Sequence, residues 1–137
     1  MKNYKVYHLS KKKYKYYLII NVFNEGNSLK KYLQKIPAIK NFGVMIADSP
    51  STDSSTILER LKKLKVDVVL KMNKRSDHSV TLMSAMDYFY SKKYIKALVI
   101  SDGNGKDDPK FVKNFIKKFE KGYHFIQGSR YLKKNME

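Results

Sequence analysis

Tyr16-Tyr17-Leu18-Ile19-Ile20-Asn21-Val22-Phe23, followed by Asn24-Glu25-Gly26-Asn27, is the stretch on which the fold turns. Its first part is mostly apolar without polar alternation, the pattern of a strand buried on both faces, as a parallel sheet demands. The polar residues from Asn24 onward break it. Behind Ser28, the expected N-cap, Leu29, Tyr32, Leu33 and Ile36 recur at i, i+3, i+4 and i+7 until Pro37 ends the pattern. That spacing predicts a short amphipathic helix, so strand and helix form one unit of an α/β chain.

The unit repeats outward from this start. Gly43 to Ala47 reads as a second strand, Asp48 to Ser55 as a Ser/Asp/Pro loop, and Ile57, Leu58, Leu61 and Leu64 as a second helical face. Val66 to Leu70 reads as a third strand. Beyond the polar stretch Lys71 to Ser79, the residues Val80, Met83, Met86 and Tyr90, with Leu82 and Phe89 beside them, predict a third helix. Ala97 to Ile100 follows as a fourth strand. Asp108-Pro109 supplies a cap and a first-turn proline, and Phe111, Val112, Phe115, Ile116 and Phe119 carry an apolar stripe to Gly122. His124 to Gln127 is a candidate fifth strand, leading to Gly128-Ser129-Arg130-Tyr131 and a basic tail.

Strands alternating with helices imply right-handed crossovers and a mostly parallel sheet with helices on both faces. Ligands of such sheets sit beyond the carboxyl ends of the strands. The expected site therefore gathers Asn24 and Glu25, Asp48, the stretch Asn73 to Asp77 with Arg75, and Asp102 on one edge.

Composition narrows the class. The 137 residues suit one domain, divided here into a basic N-terminal arm, residues 1–15, and a folded domain, residues 16–137. There is no cysteine, which excludes disulfides and thiolate metal sites. The Lys/Tyr-rich start lacks the apolar core of a secretory signal, and no run of apolar residues is long enough to span a bilayer. The net charge of +17, from 29 Lys and Arg against 12 Asp and Glu, favours anionic partners: phosphorylated substrates, lipid surfaces or nucleic acid. A lysine-rich solvated surface explains the same number.

Ser101-Asp102-Gly103-Asn104-Gly105 carries the most suggestive chemistry. A carboxylate and an amide oxygen two residues apart can face the same way from an extended segment, and hard divalent cations favour oxygen ligands. Asp-Gly and Asn-Gly are also ordinary turn dipeptides. His78 has no second histidine at ligand spacing and receives no role.

Taken in order, Ile20-Asn21-Val22-Phe23-Asn24-Glu25, Ile46-Ala47-Asp48-Ser49-Pro50-Ser51-Thr52-Asp53, Ser101 to Pro109, and Gln127-Gly128-Ser129-Arg130-Tyr131 resemble family 2 glycosyltransferases of the GT-A, Rossmann-like type. The branch of dolichyl-phosphate mannosyltransferases and bacterial polyprenyl-phosphate sugar transferases is the most similar, over roughly Tyr17 to Tyr131. The resemblance implies nucleotide-sugar contacts from Asn24, Glu25, Asp48, Arg75, Asp102 and Lys106. Glu25 would lie near base or ribose, Asp48 would bond the base, and Asp53 would open the next helix, where an N-cap is the competing role.

The family's Asp-X-Asp motif, which helps to hold an ion on the diphosphate, appears with Asn104 in place of its second carboxylate. Asp102 and Asn104 are the implied ligands of Mg²⁺ or Mn²⁺, with affinity weakened by the lost charge. Lys106 would supply part of the positive charge that the metal normally brings. Asn21 replaces the usual proline of the first segment, and Ser49 and Pro50 depart from the second. Asp102 and Arg130 are the implied catalytic residues, Arg130 by pairing with donor or acceptor phosphate.

The implied reaction transfers a sugar, with inversion, from a UDP- or GDP-linked donor to a lipid phosphate or a saccharide hydroxyl. A hydroxyl acceptor needs a general base, and only Glu120 and Glu137 follow Asp108, whereas a polyprenyl phosphate is already anionic. Family members continue with acceptor-site elements, so the chain is expected to be the donor half of a longer fold, cytoplasmic or peripheral at the inner face of the membrane. A noncatalytic sugar-nucleotide-binding fragment is the first alternative. A basic nucleic-acid-binding protein is the second, although no specific nucleic-acid motif is present.

Overall fold

The computed structural model describes residues 2–129. Its sheet has five strands in the order β1-β4-β3-β2-β5: β1 (Tyr4–His8), β2 (Tyr16–Val22), β3 (Phe42–Asp48), β4 (Val68–Met72) and β5 (Ala97–Asp102). β2 lies between β3 and β5 and runs parallel to both, and β3 pairs parallel with β4. Being flanked on both edges and covered on both faces, β2 can afford no exposed polar group along Tyr17 to Ile20, and those residues are buried.

Helices α1 (Asn27–Lys35), α2 (Leu58–Lys63) and α4 (Val112–Glu120) cover one face, and α3 (His78–Tyr90) covers the other. Alternation along β2 divides the core accordingly. Leu18, Ile20 and Val22 pack with Leu29, Leu33, Leu61 and Ile116. Tyr17 and Ile19 pack with Ala85 and Phe89 of α3. The mostly parallel α/β architecture agrees with the sequence pattern.

Several local readings are corrected. Within the basic arm, Tyr4–His8 forms the edge strand β1, antiparallel to β4 with Tyr4 opposite Met72 and His8 opposite Val68. Tyr4 and Val6 join the α3 side of the core while Tyr7 joins the other, so apolar side chains from both faces of β1 reach the core. The α1 cap is Gly26, at φ +55°, and not Ser28, which lies inside the first turn. β4 begins at Val68, two residues later than expected, because the backbone N–H of Val66 bonds the carbonyl of Leu61 as α2 closes.

α3 buries Thr81, Ala85 and Phe89, leaving Val80, Met83, Met86 and Tyr90 exposed, a rotation of the face expected from its largest apolar residues. His124 to Gln127 is not a strand, and β5 is an edge strand among the described residues. Also among them, no helix is long and apolar enough to cross a membrane.

Candidate nucleotide site at the strand ends

The parallel register brings the carboxyl ends of β2, β3 and β5 level. Asn21 of β2 stands between Ala47 of β3 and Asp102 of β5, and Val22 stands beside Asp48. Loops leaving these ends are therefore neighbours, and the structure shows how they are fastened.

Asn24 is the fastening. It sits at φ +51°, a left-handed conformation that asparagine tolerates better than most residues. From there its Oδ1 accepts the backbone N–H groups of Thr52 at 2.7 Å and Asp53 at 3.1 Å. Its Nδ2 donates to the Thr52 hydroxyl at 3.2 Å, and its own N–H donates to Ser51 Oγ at 2.9 Å. Asp53 returns the contact, its Oδ2 accepting from Gly26 N–H at 3.2 Å. The β2–α1 and β3–α2 loops thus form one hydrogen-bonded unit.

Asp53 also caps the 3₁₀ turn Ser54–Thr56 through the N–H and hydroxyl of Ser55. Burial alone would raise its pKa, but the Ser55 and Gly26 hydrogen bonds outweigh that and hold the carboxyl below its ordinary value. Because the folded-state value is the lower one, Asp53 stabilises the fold above the ordinary carboxylate range, and that contribution disappears as pH falls through the folded value. The acid limb of a melting-temperature profile should accordingly be shallower in Asp53→Ala than in the wild type, while a parallel limb would contradict this assignment.

Asp48 has turned inward. It is 0% exposed, its Oδ1 accepts from the Ser51 N–H at 2.8 Å and the Ser51 hydroxyl at 2.7 Å, and its Oδ2 accepts from Thr56 Oγ1 at 3.0 Å. Through these bonds it shapes the loop that Asn24 grips.

Glu25 and the Asp102 segment meet across Gly103. The Gly103 N–H donates to the Asn21 carbonyl at 3.0 Å, prolonging the β2–β5 pairing by one residue. A β-carbon at Gly103 would lie 3.1 Å from Val22 Cγ2 and 3.4 Å from Glu25 Cγ, so glycine lets the chain pass tightly over the loop. Asp102 is exposed and Glu25 half-buried, two carboxyl side chains on one rim.

Arg75 faces this rim from the β4–α3 loop, its guanidinium 4.6 Å from the centre of the Phe23 ring. The contact orients an otherwise long and exposed cation beside the β2–α1 loop. Asn104 Oδ1 accepts the Lys106 N–H at 3.0 Å, fixing a turn that leaves the Lys106 side chain in solvent. The oxygen expected to bind a cation also holds its own turn, and it keeps a second lone pair. Among the described residues no group of three His, Asp or Glu side chains is placed to hold an ion. Arg130 lies outside the described residues.

Several contributors escaped the sequence reading. Ser51, Thr52 and Thr56 supply the donors and acceptors that fix the β3–α2 loop. Asn21 is 3% exposed, and its Nδ2 donates to the His78 carbonyl at 3.0 Å, tying the start of α3 to β2. Its Oδ1 is buried without a partner. Next to the sheet on that side, the hydroxyls of Ser49 and Thr81 share a hydrogen bond. A polar residue inside an otherwise apolar strand was the available signal.

The glycosyl transferase family 2 profile matches residues 17–137. Among solved structures, the chain is similar to the crystal structure of S. aureus TarS, with a TM-score of 0.56 and 17% identity over 88% of this chain. This chain spans only 24% of the length of that one. No curated protein sequence matches significantly.

Proposed function

Since the chain belongs to glycosyl transferase family 2, we propose that its strand-end rim binds the nucleotide of a UDP- or GDP-linked sugar and serves transfer of that sugar with inversion. The observation that carries this reading is the packing of Glu25 against Gly103, the residue that follows Asp102 at the end of β5, beside loops already locked together by Asn24 and Asp53. A rim held by hydrogen bonds before ligand arrives loses little conformational freedom on binding.

In this reading Glu25 and Asp102 accept hydrogen bonds from ribose or sugar hydroxyls, and Arg75 and Lys106 meet the diphosphate as cations. Stabilising the negative charge that grows on the leaving diphosphate is the main electrostatic demand of the reaction. Asp48, Asn24 and Asp53 act through the loops that they hold. Among the described residues the only carboxylate beyond Asp108 is Glu120, at the exposed end of α4 and away from the rim. A polyprenyl phosphate, the acceptor in the branch the sequence resembles, is already anionic and would need no general base.

Titration calorimetry with UDP, GDP and their sugar conjugates tests the reading. One nucleotide should bind, and Asp102→Ala should weaken it at least about tenfold, the loss of a charged hydrogen bond. No binding of any nucleoside diphosphate by the folded chain would reject the proposal. Because Asn104 brings no negative charge where the family carries a second carboxylate, Mn²⁺ alone should produce little binding heat. Tight Mn²⁺ binding lost in Asp102→Ala would overturn that expectation.

A further inference from the structure

Outside the strand-end rim, the strongest unexplained feature is the outer side of α4 and the segment that follows it. Val112 and Ile116 are buried, so the opposite side of the helix faces solvent. Lys117 lies on that side of α4 with Lys113 next to it, Lys110 stands in the 3₁₀ turn before the helix and Lys121 caps its end, and all four are exposed. Between Lys110 and Lys121 the only acid is Glu120, and Asp108 nearby accepts the Lys110 N–H at the helix start.

A lysine-rich helix face alone is a solvated surface. Here, however, it is bordered by aromatic rings that the fold leaves out. Phe111 is 59% exposed, Tyr123 55% and Phe125 86%. Phe111 precedes Lys118 by seven residues and shares its flank of the helix, and Lys118 Nζ lies 5.3 Å from the Tyr123 ring centre, which brings that ring to the same flank. Behind them runs a groove of about 730 Å³ lined by Phe111, Val112, Phe115 and Ile126 along β5. A soluble surface gains nothing from exposing this much aromatic area.

We propose that this face, the outer side of α4 with Phe111, Tyr123 and Phe125, docks on an anionic lipid bilayer. Charge complementarity selects the occupant: lysines meet lipid phosphates while the rings enter the headgroup boundary, the two contributions that bind amphipathic helices to membrane surfaces. The chain's +17 charge adds long-range attraction toward the same partner. A single-stranded nucleic acid also uses lysines and stacks on exposed rings, so an oligonucleotide is the competing occupant in the test. None of the lysines and exposed rings of this face lies on the strand-end rim, although the groove behind them reaches Lys106 at one end.

Co-sedimentation of the full chain with vesicles of phosphatidylglycerol and phosphatidylcholine, against phosphatidylcholine alone, tests it. Binding should require the anionic lipid. Lys117→Glu with Lys121→Glu should lower partitioning by more than about tenfold, given roughly fivefold for each lysine near an anionic surface. The control Lys30→Glu with Lys31→Glu makes the same change in net charge on the exposed side of α1 and should have a much smaller effect. Phe111→Ser with Phe125→Ser should lower partitioning severalfold, with circular dichroism confirming the fold.

The chain has no tryptophan, so Phe125→Trp provides a clean reporter whose emission should shift to the blue when vesicles are added. Equal losses from the α1 and α4 charge reversals would overturn the proposal, as would an unshifted reporter on bound vesicles. A single-stranded oligonucleotide that binds more tightly than the vesicles would overturn it in favour of nucleic acid. Nucleotide affinity measured in parallel should be the same in all these variants, so that failure here leaves the strand-end reading untouched.

Discussion

Asp48→Ala should destabilise the fold by about 3 kcal/mol, the scale expected when several buried donors lose a shared acceptor. In the native chain one carboxylate satisfies the Ser51 N–H, the Ser51 hydroxyl and the Thr56 hydroxyl. Alanine leaves the Ser51 N–H without that acceptor and opens space at a position with no exposure. Loss of the Asp48 contacts should also loosen the loop that Asn24 grips, so nucleotide affinity should fall together with stability.

Asp48→Asn separates the two roles. Its amide oxygen can still accept from Ser51, and its NH₂ can donate to Thr56 Oγ1 with the hydroxyl turned to receive it, so the expected destabilisation is smaller, about 1 kcal/mol. Urea unfolding and nucleotide titration on both variants provide the check. If affinity tracks stability through the series, Asp48 acts through the loop. An Asp48→Asn chain as stable as the wild type but unable to bind nucleotide would restore the direct base contact that the family resemblance implies.

How much of this was legible before any coordinates depends on which force sets each feature. β2 and the order of strands and helices were readable because continuous apolar runs and i, i+3, i+4 stripes are direct consequences of burial. The α3 face was not. Its sequence is apolar nearly all round, and size drew attention to Val80, Met83, Met86 and Tyr90. Contact with the sheet instead chose Thr81, which bonds Ser49, and Ala85, where a small side chain lets the helix sit close. β1 was hidden for a different reason. Edge strands use lysines to discourage further pairing, and Lys5 between Tyr4 and Val6 made a strand resemble a basic arm.

The site divides along the same line. That Asn24, Asp48 and Asp102 would stand at strand ends followed from topology. Which of them would face outward did not, because this depends on hydrogen bonds between loops that are distant in sequence. Asp102 remains exposed, whereas Asn24 and Asp48 engage the Ser51-Thr52-Asp53 stretch and become parts of the scaffold. In the same way, no sequence pattern reported that the Asn104 side chain would close on Lys106 N–H.

Gly43→Ala should cost about 3 kcal/mol, although it adds one methyl group to a strand, because the added carbon has nowhere to go. Gly43 pairs with Tyr17 in the β2–β3 ladder. An ideal β-carbon there would lie 2.5 Å from Tyr17 Cε1 and 2.6 Å from Tyr14 Cδ2, inside any contact that real β-carbons make. Tyr17 cannot yield: it is 2% exposed, and its ring centre lies 4.6 Å from that of Phe89 on α3. Burial also pushes its phenol up to about 12, as expected for a group wedged between sheet and helix. Tyr14, half-buried and meeting Tyr17 edge-on at 5.9 Å, is the more mobile neighbour.

Adding Tyr14→Ala to Gly43→Ala should therefore recover only part of the loss, since the contact with Tyr17 remains. Urea midpoints of the two single variants and the double variant measure the coupling. Full recovery would mean that Tyr14 alone resists the methyl group, and no destabilisation by Gly43→Ala would mean that Tyr17 and Phe89 have room to move. In that last case α3 would not be pinned to β2 by its aromatic contacts, and Asn21 bonding the His78 carbonyl would be left to hold the start of the helix at the strand-end rim.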